Sequence, residues 1–294
     1  MLDTKNRRKR FDPPEPDQDK DGLVNRKDLG PRDIVWLSAL QTHGTLPSTY
    51  LHAFGGGSYK GSLERLKQLY HSGYVTRPRD QRRSDRANYQ PVSYQIADKG
   101  WGILERKGLM DTYTASFHGH TLHQFMVSCL TASIHLACRS HGLIYLSQED
   151  ILSDARCTRK ELSLPYNGSI IKPDQLFGIK YADDKVRFFA VEAERAEKSM
   201  MRYEEKLRPY DAIIQSRIFR QEWGIPNMRV LVFTATNNRI RRMMEPLDGL
   251  FNPDHFLFRH KQQFEEQWIV PPVMSDMLEE PWITTTGTFD ISRA

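Results

Sequence analysis

The sequence predicts an α+β protein of two modules: a small helical module closed by a β-hairpin, then a larger α/β module with a central mixed sheet. Three observations predict it. Between residues 31 and 107, apolar stripes at helical spacing are followed by two short β-prone runs. Between residues 143 and 236, apolar β-prone runs alternate with helical periods, as in strands joined by crossover helices. Residues 1–110 hold 20 Lys/Arg against 13 Asp/Glu, whereas the remainder holds 22 against 24. The basic surplus therefore belongs to the first module and suits a polyanionic partner.

The 294 residues are 39% hydrophobic and 27% charged, which is ordinary for folded domains and too apolar for wholesale disorder. Cys129, Cys138 and Cys157 are an odd, sparse set without a CxxC pair. They argue against a disulfide framework or a Cys-rich zinc site and for a reducing cytoplasm. No apolar run reaches the ~18 residues a membrane span needs. The basic start, Met1 to Arg10, has no apolar core behind it and does not read as a secretory signal.

Residues 1–30 read as a disordered arm, basic then acidic. Lys5, Arg7, Arg8, Lys9 and Arg10 form a charge run that either grips phosphate or is a solvated tail. Asp17, Asp19, Asp21, Gly22, Asn25 and Asp28 take the spacing of a calcium loop. Asp28 is shorter than the glutamate such loops use at that position, and Pro13, Pro14 and Pro16 prevent an entering helix, so an acidic linker is the other reading.

The first module covers residues 31–112. Pro31 suits a first helical position, and Ile34, Trp36, Leu37 and Leu40 form a stripe ending at Gly44. A short helix spans Pro47 to Phe54. Ser58 caps a third, Tyr59 to Ser72, with Leu63, Leu66, Leu69 and Tyr70 expected inward. Tyr74 to Thr76 and Val92 to Ile96 read as strands around a polar loop, and Gly100 to Lys107 as another helix.

This order resembles the winged helix-turn-helix superfamily. Gly61 to Val75 looks like a recognition helix feeding a wing strand, and Tyr94 to Gly100 like the second wing strand and its exit. The resemblance implies double-stranded DNA as partner. Ser58, Tyr59, Lys60, Ser62, Arg65 and Lys67 are the candidates for reading base edges. Arg77, Arg79, Arg82, Arg83 and Arg86 are the candidates for holding phosphate or narrow minor groove. A protein-docking role for the same module is the alternative.

Residues 113–142 read as a connecting helix. His118, His120, His123 and His135 lie on or near it, but no Asp or Glu is spaced to complete a metal site. Leu122, Phe125, Met126, Cys129, Leu130, Ser133, Ile134 and Ala137 follow a helical period. Core packing or a homodimer seam is the expectation for this helix.

The second module covers residues 143–260, with 261–294 as a C-terminal extension without readable chemistry. Leu143 to Leu146, Ser169 to Ile179, Val186 to Glu192 and Arg229 to Thr234 read as strands. Glu197 to Glu222 reads as one long helix, and a basic helix begins at Asn238. Pro173-Asp174 on one strand and Glu192 at the end of the next resemble the PD-(D/E)xK nuclease-like superfamily. In that chemistry two carboxylates hold a divalent ion such as Mg²⁺ and a lysine positions water. Asp174 and Glu192 match the carboxylates, whereas Glu194 stands in the lysine position. Lys198 or Lys206 on the following helix is placed to substitute, and Arg195 or a helix start to neutralise an inactive scaffold.

Over residues 30–245 the chain resembles the replication-relaxation family of bacterial plasmids, phages and mobile elements. The matching stretches are the winged-helix segment, the start of the helix that contains His123, Lys172 to Leu176, Phe188 to Arg195 and Lys206 to Tyr210. That resemblance implies DNA binding in replication, transfer or transcriptional control. The expectation is a cytoplasmic, sequence-specific DNA-binding regulator, a homodimer without cofactor, whose second module is an inactive nuclease-like scaffold. The alternative is a Mg²⁺-dependent nuclease delivered by the winged helix, with Asp174, Glu192 and Glu194 catalytic.

Overall fold

The computed structural model describes residues 29–83, 89–109, 121–166, 168–194, 200–264 and 268–293. The basic arm, the calcium-like loop, Arg86, His118, His120, Arg195 and Lys198 lie outside the described residues. The chain forms two compact units, Met1–Ala132 with Gln267–Val273, and Ser133–Glu266 with Met274–Ala294. The division falls inside one helix, at Ala132, and not in a linker. Among the described residues there are ten α-helices and a mixed seven-stranded sheet.

In the first unit the order is α1 (Pro31–His43), β1 (Leu46–Pro47), α2 (Ser48–Gly55), α3 (Tyr59–His71), β2 (Val75–Thr76), a 3-10 turn (Arg79–Arg83), β3 (Ser93–Ile96) and α4 (Asp98–Arg106). Helix α5 (Thr121–Ser140) follows. The three strands form an antiparallel sheet in the order β1-β3-β2, with Leu46 opposite Tyr94 and Val75 opposite Ile96.

Local chemistry sets these boundaries. Pro31 occupies the first turn of α1, and the Asp33 carboxylate accepts the Gly30 N–H at 2.8 Å. Ser58 caps α3 by accepting from Gly61 N at 3.2 Å, and Gly73, at φ 75°, ends it. Trp36, Leu37, Leu40, Tyr50, Leu51, Leu66 and Tyr94 make the core.

Leu63 departs from expectation: it is 37% exposed, and Ser62 takes the inward place with Leu66, Leu69 and Tyr70. Positions 62, 66, 69 and 70 form the true stripe, four, seven and eight residues along one helix face. Ser62 is tolerated there because its hydroxyl pairs with His52 Nδ1 at 3.0 Å and donates to the Ser58 carbonyl at 3.1 Å.

Helix α5 packs as a core element. Phe125 to Ile134 are ten consecutive buried residues, a helix enclosed on every side over that stretch. His43 Nδ1 pairs with Thr131 Oγ1 at 2.9 Å, so a histidine from α1 satisfies one of its polar groups. The segment from Trp268 returns to the same unit. Trp268 stacks on Phe125 at 4.3 Å, Val270 N donates to Gln90 Oε1, and Tyr50 donates to the Pro272 carbonyl.

The second unit continues with β4 (Ile144–Leu146), α6 (Gln148–Ser153), β5 (Leu164–Tyr166), β6 (Ser169–Ile171), β7 (Gln175–Lys180) and β8 (Val186–Glu194). Then come α7 (Met200–Ser216), α8 (Phe219–Glu222), β9 (Arg229–Thr234), α9 (Asn237–Met244), β10 (Phe256–His260), α10 (Asp276–Glu279), β11 (Trp282–Ile283) and β12 (Thr288–Phe289). The sheet order is β12-β11-β10-β9-β8-β7-β4. Strands β8, β9 and β10 run parallel, and the other pairs are antiparallel. The central strands carry the buried rings Phe177, Phe189, Phe233, Phe256 and Phe258, as expected of strands covered on both faces.

Three expectations change here. The strand expected over 169–179 is two, because Pro173 has no N–H to continue a ladder: β6 pairs with β5 in its own hairpin while β7 enters the main sheet. The long helix is broken at Arg217, whose φ of 55° leaves the helical region. The C-terminal extension is structural: β11 and β12 complete one edge of the sheet, and Arg259 binds Asp276 and Glu280 beneath it.

Candidate functional site

Each unit presents one candidate. In the first, α3 turns Tyr59, Lys60, Leu63, Glu64 and Lys67 outward. Ser58 is exposed, but its hydroxyl is engaged as the helix cap. Ser62 and Arg65, expected among the base readers, are held inside the unit. Arg65 clasps the buried Asp33 of α1, with Nη2 at 2.6 Å and Nε at 3.0 Å, and donates to Gln68 through Nη1. The Asp33 hydrogen bond, opposed by partial burial, keeps the guanidinium more firmly protonated than usual.

The loop beyond β2 is anchored by a buried glutamine. Gln81 accepts from Ser93 N at 2.9 Å and donates to the Ser93 carbonyl at 3.0 Å, so a side chain takes the place of a ladder strand. Arg77 lies over the rings of Tyr70 and Tyr94 at 4.0 and 5.2 Å and donates to the Tyr94 hydroxyl. Arg79 is exposed, and Arg82 and Arg83 fall in the same 3-10 turn.

In the second unit the sheet brings the motif residues together. Asp174 precedes β7, its N–H donating to the Val191 carbonyl at 2.9 Å. Its carboxylate in turn accepts the Ala193 N–H at 2.8 Å. Glu192 and Glu194 lie two residues apart near the end of β8 and so share a face. Helix α7 supplies the counter-groups: Lys206 Nζ reaches Glu192 Oε2 at 2.6 Å, and the Tyr210 hydroxyl donates to Glu192 Oε1 at 2.5 Å. Lys206, a candidate to substitute for the strand lysine, is thus paired with Glu192.

Burial, with the Asp174 charge adding to it, pushes the Glu192 carboxyl up from 4.5 to about 7, against the pull of Lys206 and Tyr210. Burial alone would lower Lys206, but Glu192, Asp174 and Glu194 outweigh it and leave its pKa raised. Burial first, then the carboxylates, pushes the Tyr203 and Tyr210 hydroxyls well above their usual range. Glu194 is less committed, 3.8 Å from Lys206 Nζ and 4.0 Å from Arg239 Nη2.

Among the described residues, no group of three His, Cys, Asp or Glu side chains is arranged to hold a metal ion. Asp174 and Glu192 direct oxygens at protein donors, which is a poor fit to a divalent ion. His135 is a core ring, stacked on Tyr145 at 4.5 Å and lowered to about 4 by burial and by Arg139. Sequence reasoning missed Tyr203, Tyr210, Thr234 and Arg239. The first three read as core residues, and Arg239 reads as part of a charge run with Arg241 and Arg242.

A two-unit α+β chain with a carboxylate–lysine group at the end of a mixed sheet is the class these features define. The replication-relaxation family model matches residues 37–227, and the chain belongs to that family. No match emerged among curated proteins or among solved structures. Among the described residues no helix is long and apolar enough to cross a membrane.

Proposed function

We propose that the protein is a sequence-specific double-stranded DNA-binding regulator of a plasmid, phage or other mobile element, and that its first unit is a winged helix-turn-helix. The observation that carries this reading is the division of α3 into two faces. Ser62, Arg65, Leu66, Leu69 and Tyr70 hold the helix to its neighbours, while Lys60 and Lys67 are exposed on the other side and Tyr59, exposed in part, packs its ring edge against His52. A helix so held enters a major groove as a rigid rod, with base-edge readers drawn from the free face. Arg79 and its neighbours in the turn then lie along phosphate. A palindromic operator calls for a two-fold dimer, its interface placed in the second unit.

The test is enrichment of genomic fragments on the purified protein, followed by anisotropy titration of the enriched duplex across salt. Lys60→Ala or Lys67→Ala weakens binding, and each lost phosphate contact lowers the salt slope by about 0.9. Unchanged affinity and slope in the double variant would remove the assignment.

A second reading, a metal-dependent nuclease, rests on Asp174, Glu192 and Glu194 gathering at one end of the sheet with Lys206 beside them. Plasmid incubated with Mg²⁺ or Mn²⁺ and either the native chain or Asp174→Ala separates the two. Cleavage by the native chain alone supports the enzyme.

A further inference from the structure

The second unit contains buried hydrogen-bonding groups that neither reading uses. The hydroxyls of Tyr203 and Thr234 and the Nε of Arg239 are buried and meet no hydrogen-bond partner. Tyr203 is 4% exposed and Thr234 is fully buried. Buried polar groups in native proteins are almost always satisfied, so three around one position call for a partner the chain does not supply. Glu194 is their common neighbour. Thr234 is its ladder partner on β9, Arg239 Nη2 lies 4.0 Å from it, and its charge reaches the Tyr203 hydroxyl.

The place has a second property. Strand β9 ends at Thr234, and α9 begins three residues later, its first turn capped by the Thr236 hydroxyl accepting from Arg239 N. The carboxyl end of a parallel strand facing the amino end of a helix favours negative charge, through free N–H groups and the helix dipole. Arg239 and Lys206 add two cations, neither within hydrogen-bond distance of Glu194. Lys206 is committed to Glu192, which leaves the Arg239 guanidinium and the Tyr203 and Thr234 hydroxyls as donors at this point, a set that suits an oxyanion.

We propose that the end of β9 and the first turn of α9 hold a phosphoryl oxyanion, with the Thr234 and Tyr203 hydroxyls and the Arg239 guanidinium as its donors. The anion sits beside Glu194 without a bridging metal, in the unit that does not carry α3. Thr234 and Arg239 lie beyond the stretch matched by the family model, and Glu194 and Tyr203 lie within it. The phosphoryl group belongs either to free phosphate or to a DNA backbone.

The experiment is calorimetric titration of the full chain with inorganic phosphate in buffer containing a chelator, repeated with Thr234→Val, Tyr203→Phe and Lys60→Ala. The first two keep shape and remove one donor each. Saturable binding is expected, weakened about five- to tenfold by either, the loss of one hydrogen bond, and unchanged in Lys60→Ala. Competition by a short duplex that persists in Lys60→Ala assigns the group to DNA backbone, and absence of competition assigns it to free phosphate. No saturable binding, or equal binding in the Val and Phe variants, overturns the proposal while leaving the α3 reading untouched.

Discussion

Removing the Arg65 guanidinium tests how α3 is held. Asp33 is almost fully buried and receives Arg65 at 2.6 Å and 3.0 Å, while the arginine side chain keeps 18% of its surface. Breaking a fully buried pair by deleting one partner costs about 3–5 kcal/mol, and an exposed pair is worth about 0–1. The pair lies nearer the buried limit, screened at the arginine end, so Arg65→Met should cost about 2–3 kcal/mol. Asp33→Asn should cost less, about 1–2 kcal/mol, because the amide oxygen still accepts the Gly30 N–H. The two substitutions touch one interaction, so the double variant should fall short of their sum by about 1–2 kcal/mol. Hydrogen exchange of the α1 and α3 amides reads the stability of this unit separately from the other. A loss under about 0.5 kcal/mol, accompanied by a changed base preference in bound duplex, would place Arg65 on DNA and refute the argument.

Other expectations follow from the packing and the charges. A methyl group on Gly100 would overlap the Tyr74 carbonyl and press on Leu37. Gly100→Ala should therefore lower stability by about 1–3 kcal/mol, read as a fall in the melting midpoint; an unchanged midpoint means α4 is not packed this way. Glu192, raised from 4.5 to about 7 among Asp174, Lys206 and Tyr210, holds a proton in the folded state that the unfolded chain has released between those values. Its contribution is full at low pH and is lost as pH rises through 7, so the native chain should lose stability relative to Glu192→Gln over that interval. A difference that stays flat or runs the other way sinks the assignment of burial as the cause. Asp211 accepts Phe251 N, Asn252 N and Asn252 Nδ2, at 3.0, 2.9 and 3.0 Å. Asp211→Ala should release this loop, seen as faster proteolysis next to the exposed Phe251; equal cleavage rates would count against it.

The first unit was legible because its helices are punctuated. Pro31, Gly44, Ser58 and Gly73 each force or permit a boundary for a stated reason, and the apolar stripes between them are long enough to read. The face of α3 was harder: a rule that sends leucine inward chose Leu63, but the inward position belongs to Ser62, whose hydroxyl is satisfied by His52 on a neighbouring helix and by the Ser58 carbonyl. Strands β11 and β12 are two residues each, too short for any period, and they exist because the β10 edge offers them partners. Asp174 and Glu192 were legible as a spacing around a strand. Lys206 was legible as a candidate only, since its distance from Glu192 depends on where α7 returns over the sheet. Tyr203, Thr234 and Arg239 carried no signal, because nothing in a sequence marks a buried hydroxyl as lacking a partner.

The two glutamates on β8 show how position along one strand separates a fixed carboxylate from an available one. Glu192 pairs with β9, one residue past the last β7 pair at Val191, and is 4% exposed, so any charge it carries must be answered from within the protein. Helix α7 answers it with Lys206 and Tyr210, four residues apart on one face. Glu194 lies one full pleat further along, its side chain 19% exposed, with Lys206 and Arg239 at 3.8 and 4.0 Å. A cation so placed retains donors for something else. Under the proposal above, the anion sits beside Glu194, the residue in the lysine position, while Glu192 is paired within the fold by Lys206 and Tyr210.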